Sequence, residues 1–264
     1  MTTISADLVK ELRERTGAGM MDCKRALQET DGDIDEAIRL LREKGMASAA
    51  KRAEHATNEG KVATRTDERR GAIVAVACET EPVSKNDEFV GFVNRLLDAV
   101  GRDGADAAAR LEQERLELAG RLGENIVIRG ADSLEAHEDE VVAEYVHRPA
   151  EKIGVLVVMR GTPELARMTA MHISFADPRY LSRDEVPQAD VEREREIYEK
   201  LPDVVAKPEE VRPRIVEGML AKRFFAETVL LDQPWIHDTA LTVGKALVEH
   251  GADVRRFLRL SVAG

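Results

Sequence analysis

The sequence predicts an α+β fold: an N-terminal three-helix bundle, then a two-part core of small antiparallel sheets with helices and a protruding helical hairpin. Three observations predict it. Apolar residues recur at helical spacing over 4–45 and switch to alternation from Lys61. A hairpin–helix–strand order then appears twice. The second copy is interrupted by a charged, helix-forming stretch, 187–226, bounded by Pro187 and Pro234.

In the bundle, Ser5 is an N-cap, Ile4 and Val9 form a hydrophobic staple, and Leu8 and Leu12 share a face. The helix stops at Thr16-Gly17-Ala18-Gly19, where two glycines allow a tight turn. A second helix carries Met20, Cys23, Ala26 and Leu27 and ends at Thr30-Asp31-Gly32. The third opens on Asp33 with Glu36 three residues on, a capping box, buries Ile34, Ile38 and Leu41, and stops at Gly45. Three helices in 1–45 make a thin core, which fits a recognition module better than a catalytic one. Residues 46–60 read as a helical or flexible linker.

The first core subdomain is 61–139. Residues 61–66 alternate, 67–71 turn, and 72–78 form a β-branched apolar strand, which together make a hairpin. An amphipathic helix over 86–100 buries Phe89, Phe92, Val93, Leu96 and Val100. A helix over 105–121 and a short strand over 126–128 follow.

The second subdomain is 140–264. Its hairpin uses 140–147 and 152–159, and Pro163 opens a helix where proline is tolerated. A helix over 242–250 ends at Gly251, and a strand covers 254–262. The inserted hairpin pairs 190–200 with 209–225 around Leu201-Pro202-Asp203. Its sparse apolar positions, Val191, Ile197, Leu201, Val211, Ile215 and Leu220, predict an arm with one packed seam.

Several function classes are excluded by chemistry. A net charge of −11 argues against a general nucleic-acid binder. Arg13, Arg15, Lys24 and Arg25 are offset by Asp22, Glu29, Asp31 and Asp33, which weakens a helix-turn-helix reading of the bundle. No apolar run reaches the roughly 18 residues of a membrane span, and no secretory signal is visible at the N-terminus. Two cysteines are too few for a disulfide framework or a cysteine metal cluster, so a cytoplasmic setting is expected. The six histidines are scattered without H-x-x-x-H spacing, so no metal or cofactor is expected. No phosphate-binding G-x-x-x-x-G-K-[ST] loop occurs, and Gly17-x-Gly19 follows a helix rather than a strand. Cys78 lies inside an apolar strand, where a buried structural thiol is expected over a nucleophile. His172, on an amphipathic helix, is expected to be a satisfied packing residue. Met20 and Met21 are neighbours, and only one can face a thin core; an exposed Met beside an ordered turn suits a partner surface.

At this point the residues match a family. Val9-Lys10-x-Leu12-Arg13-x-x-Thr16-Gly17-Ala18-Gly19-Met20-Met21-Asp22-Cys23-Lys24-x-Ala26-Leu27 resembles the N-terminal signature of the elongation factor Ts family. The resemblance continues in order through Gly123-Glu124-Asn125-Ile126, Tyr145-Val146-His147, Ile153-Gly154-Val155-Leu156-Val157, Met171-His172-Ile173, Leu231-Asp232-Gln233-Pro234 and Phe257-Leu258-Arg259. It implies a ubiquitin-associated-like bundle, a two-part core and a coiled-coil arm. It also implies a non-enzymatic guanine-nucleotide exchange factor whose partner is GDP-bound elongation factor Tu, with no direct nucleic acid and no membrane. The partner-binding residues carried over are Leu12, Arg13, Thr16, Gly17, Gly19, Met20 and Met21, with Ile126 and His147 as further core contacts. The exchange loop would be Thr80-Glu81-Pro82-Val83, where the family's usual motif is Thr-Asp-Phe-Val, so Glu81 keeps the acid and Pro82 replaces the aromatic ring. The chain ends at Gly264, so contacts of the extra C-terminal module of some members are not expected. The alternative is a protein-binding adaptor with the same docking module and reduced or no exchange activity.

Overall fold

The computed structural model describes residues 4–263, with the backbone alone for 48–50. Three helices open the chain: α1 (Ala6–Thr16), α2 (Met20–Glu29) and α3 (Ile34–Lys51). Ser5 caps α1 through its hydroxyl, which accepts from Leu8 N at 3.2 Å, and Gly17 ends it in the left-handed conformation (φ 67°). Val9, Leu12, Cys23, Ala26, Leu27 and Ala37 form the buried centre, and Ile4, Leu8, Ile34, Ile38 and Leu41 pack around it. Asp33 caps α3 through Glu36 N at 2.9 Å, but the Glu36 carboxylate turns to Arg39, so the capping box is half formed.

Gly45 does not stop α3, which runs on to Lys51. The glycine serves instead as a contact point: α3 packs closely on α7 (Glu112–Leu122), with Gly45 against Gly120. A missing Cβ ends a helix only where the backbone needs a left-handed residue; here it lets two backbones approach. Beyond Lys51 the chain is held in place. Asn125 Nδ2 donates to Ala53 O (3.2 Å) and His55 O (3.0 Å), and Arg129 Nη2 donates to Thr57 Oγ1 (2.8 Å).

The first sheet has the order β1 (Glu59–Thr66), β2 (Arg70–Cys78), β3 (Val127–Glu135). Asp67 Oδ1 accepts from Arg69 N (3.0 Å) and Arg70 N (2.8 Å) and so closes the β1–β2 turn. Central β2 is buried from Gly71 to Cys78 on both faces, as its unbroken apolar run requires. A short helix, α4 (Glu81–Ser84), leads to α5 (Asp87–Asp103), which Asn86 caps and which buries Phe89, Phe92, Val93, Leu96 and Val100. The helix expected over 105–121 is broken at Leu111 into α6 (Ala107–Arg110) and α7. Strand β3 extends well past the expected 126–128 through the polar run Arg129-Gly130-Ala131-Asp132-Ser133. At Gly130 an added Cβ would meet Leu260 at 2.7 Å, so that glycine admits a large side chain.

The second sheet repeats the arrangement in the order β4 (Val141–Val146), β5 (Ile153–Arg160), β8 (Asp253–Ser261). Antiparallel β4 and β5 pair from Val141↔Met159 to Val146↔Gly154. Helix α8 (Pro163–Ala176), capped by Thr162, packs on both of these strands. Its core joins Val155, Val157, Met159, Ala166, Ala170 and Ile173 to Leu230, Trp235, Val243 and Leu247.

The inserted helices are α9 (Gln188–Glu199), α10 (Pro202–Val205), α11 (Arg212–Met219) and α12 (Ala226–Thr228). A wide π turn over Leu220–Phe225 follows α11. They share their own apolar centre of Val186, Tyr198, Val204, Val216, Leu220, Phe225 and Val229. Of the expected seam, Leu220 is fully buried but Ile197 and Val211 are exposed. A two-stranded pair, β6 (Pro234–Trp235) and β7 (Asp238–Thr242), and helix α13 (Val243–Glu249) complete the order.

The chain divides into two compact units, one of 1–63, 74–131 and 260–264, the other of 64–73 and 132–259. Mixed helices and small antiparallel sheets make it an α+β protein.

Candidate functional site

The α1–α2 turn is built by short polar bonds. Gly17 N donates to Arg13 O at 2.7 Å as the helix C-cap. Thr16 Oγ1 donates to Leu12 O at 2.7 Å and accepts from Ala18 N at 3.3 Å, tying the glycine turn to the end of α1. Gly19 is the first cap residue of α2, with no side chain closing it. Helix α2 then turns Cys23, Ala26 and Leu27 inward, which points both methionines outward: Met20 is 55% exposed and Met21 64%. Neither fills the core. Arg13, Gly17 and Gly19 are also exposed, whereas Leu12 is fully buried and supports the turn from beneath. An ordered turn carrying two exposed, polarizable Met side chains is a surface suited to a partner.

Residues 80–83 follow β2 after the single residue Glu79. Thr80 occupies the N-cap position of α4, with Glu81 and Pro82 in its first turn. Pro82 suits this place, since its fixed φ and missing N–H cost nothing at a helix start. Glu81 and Pro82 are exposed, Val83 is half-buried, and Glu81 forms an ion pair with Lys85 at 2.6 Å that pushes the Lys85 ammonium above its usual range. The loop is a single helical turn presenting an acid and a proline.

Ile126 is fully buried and belongs to the core, with its carbonyl accepting from Arg115. His147 is exposed at the end of β4, its Nδ1 3.3 Å from the Tyr145 hydroxyl. Cys78 is buried with its thiol directed to Thr80 O at 3.3 Å. His172 is fully buried: its Nδ1 accepts from Ile236 N (3.4 Å), so Nε2 carries the proton and donates to Gln233 Oε1 (3.0 Å). Burial pushes this imidazole below its usual value, against the Gln233 contact.

The residue reading passed over the groups that hold the loop. Glu124 Oε2 accepts from Glu79 N (3.1 Å) and Thr80 N (3.0 Å), and Glu124 Oε1 accepts from Thr80 Oγ1 (2.5 Å). Glu79 Oε1 accepts from Asn125 N at 2.6 Å and lies 3.1 Å from His55 Nδ1. The Asn125 amide, then His55, hold the Glu79 carboxyl below its usual range. The signal available in the sequence was Gly123-Glu124-Asn125, three polar or turn residues just ahead of a strand.

Among the described residues no group of three or more His, Cys, Asp or Glu is arranged to hold a metal ion, and no helix is long and apolar enough to cross a membrane.

The family model described as Elongation factor TS matches residues 79–264. The elongation factor Ts of Serratia proteamaculans is 40% identical over 99% of this chain and 92% of its own. That of Shewanella amazonensis is 40% identical over 98% and 90%, and that of Idiomarina loihiensis 39% identical over 98% and 91%. With relatives this similar along nearly their whole length, the chain belongs to the elongation factor Ts family.

Proposed function

We propose that this protein is a guanine-nucleotide exchange factor that binds GDP-bound elongation factor Tu and promotes GDP release during translation elongation in the cytoplasm. The observation that carries the reading is the pair of exposed methionines on an ordered glycine turn, in a chain of this family. In this reading residues 1–45 are a ubiquitin-associated-like docking module for the partner's G domain. The turn 80–83 presses on the Mg²⁺ and phosphate side of the partner's nucleotide site, with His147 a further contact, and 187–226 is a coiled-coil arm. Exchange needs no bond made or broken in this chain. The factor binds the partner more tightly without GDP than with it, and linkage then requires that it weaken GDP binding by the same factor.

The test is gel filtration of the full chain with elongation factor Tu·GDP, followed by nucleotide analysis of the complex. A complex depleted of GDP supports the reading. A complex retaining one GDP per partner would favour an adaptor, and no complex would remove the partner assignment.

A further inference from the structure

The densest polar network around the exchange loop joins two chain segments far apart in sequence. Glu124 reaches one way and takes three donors: the backbone N–H of Glu79, the backbone N–H of Thr80 and the Thr80 hydroxyl. Glu79 reaches back and takes the N–H of Asn125, with His55 beside the same carboxylate. Asn125 in turn fixes the backbone at Ala53 and His55 through its side-chain amide. Thr80 stands where a helix cap would be, yet its hydroxyl does not cap α4 and is given to Glu124 instead. The four-residue α4 therefore has its position set by what holds its N-cap residue, Thr80.

The geometry points to Glu124 as the positioning residue of the exchange loop, a reading that rests on the function proposed above. Three donors converge on it, which requires a group with two oxygens and no proton of its own. A glutamine keeps the length and one oxygen for the two N–H groups, but its amide nitrogen cannot accept the Thr80 hydroxyl proton. A loop that must press on a partner transmits force only if its base is stiff. Glu124 supplies that stiffness from the segment before β3, while the exposed turn at Met20 and Met21 docks without it. Releasing the clamp thus separates binding from exchange.

The experiment uses the full chain with elongation factor Tu carrying a fluorescent GDP, comparing wild type, Glu124→Gln and Glu124→Ala. Equilibrium affinity, the GDP-release rate at saturating factor and the hydrogen-exchange protection of the Thr80 amide are measured together. Expected are an affinity within about twofold of wild type, a saturating rate lowered about tenfold in Glu124→Ala and less in Glu124→Gln, and Thr80 protection lost in the same order. An unchanged saturating rate in both variants would overturn the proposal, as would rate and affinity falling in equal proportion. If wild type itself fails to accelerate release, the exchange reading fails. Thr80 protection then decides the clamp alone, and unaltered protection in Glu124→Ala would overturn it.

Discussion

Gly120 faces Gly45 so closely that a Cβ added to Gly120 would lie 2.9 Å from the Gly45 Cα and 3.2 Å from its carbonyl oxygen. The relation is not symmetric. A Cβ added to Gly45 would sit 3.6 Å from the Gly120 Cα, an ordinary contact. Gly120→Ala must therefore push two backbones apart and is expected to lower stability by about 1–3 kcal/mol. Gly45→Ala is expected to be neutral or to gain up to about 1 kcal/mol from helix propensity. Urea unfolding of the two variants checks this, and no loss in Gly120→Ala would show that the α3–α7 contact does not depend on this close approach.

The exposed methionines and the buried leucine beneath them make opposite predictions. Met20→Ala combined with Met21→Ala should leave the melting temperature within a degree or so, because exposed side chains contribute little to folding. The same pair should weaken partner binding by roughly 1–2 kcal/mol. Leu12→Ala should instead cost about 2–5 kcal/mol of stability, since its side chain is fully buried. Calorimetric titration beside thermal melts separates the two effects; tight binding by the double Met variant would take the turn out of the interface.

Pro82 is exposed at the position where the resemblance implies an aromatic ring. Restoring the ring with Pro82→Phe should speed GDP release several-fold, about 1 kcal/mol in the barrier. Glu81→Ala should slow it. Single-turnover release measurements decide the point, and two unchanged rates would remove the turn 80–83 from the mechanism.

His172 sets a pH window for stability. Burial depresses its folded value below the ordinary 6.5, so the folded chain stays neutral at this site where the unfolded chain already binds a proton. The stability tied to this residue is full above about pH 6.5 and declines as pH falls toward the folded value, at no more than about 1.4 kcal/mol per pH unit. Denaturant midpoints between pH 7.5 and 5.5 should therefore fall more steeply for wild type than for His172→Gln. Parallel slopes would mean that the imidazole is protonated without penalty.

The elements legible in the sequence were those specified locally. Ser5 and Asp33 each cap the helix they precede, because a cap needs only its own neighbours. Strand β2 was legible because an unbroken apolar run marks a strand buried on both faces. What escaped depends on distant partners. Gly45 reads as a stop until Gly120 is beside it, and β3 reads as a short strand over 126–128 until its pairing with β2 carries it through a polar run to Glu135. Of the seam expected for the inserted helices, Val191, Leu201, Ile215 and Leu220 do belong to their shared apolar centre, while Ile197 and Val211 face outward. In the candidate site, the exposure of methionine beside the glycine turn is a local property and was legible. Glu124 acts on Thr80 from 44 residues away, and no spacing rule reaches that far.

The central claim is tested most directly by stopped-flow release of a fluorescent GDP from elongation factor Tu, with and without this protein. The account predicts that the release rate rises with factor concentration to a plateau well above the unassisted rate. A rate that stays at the unassisted value while binding is saturated would contradict it.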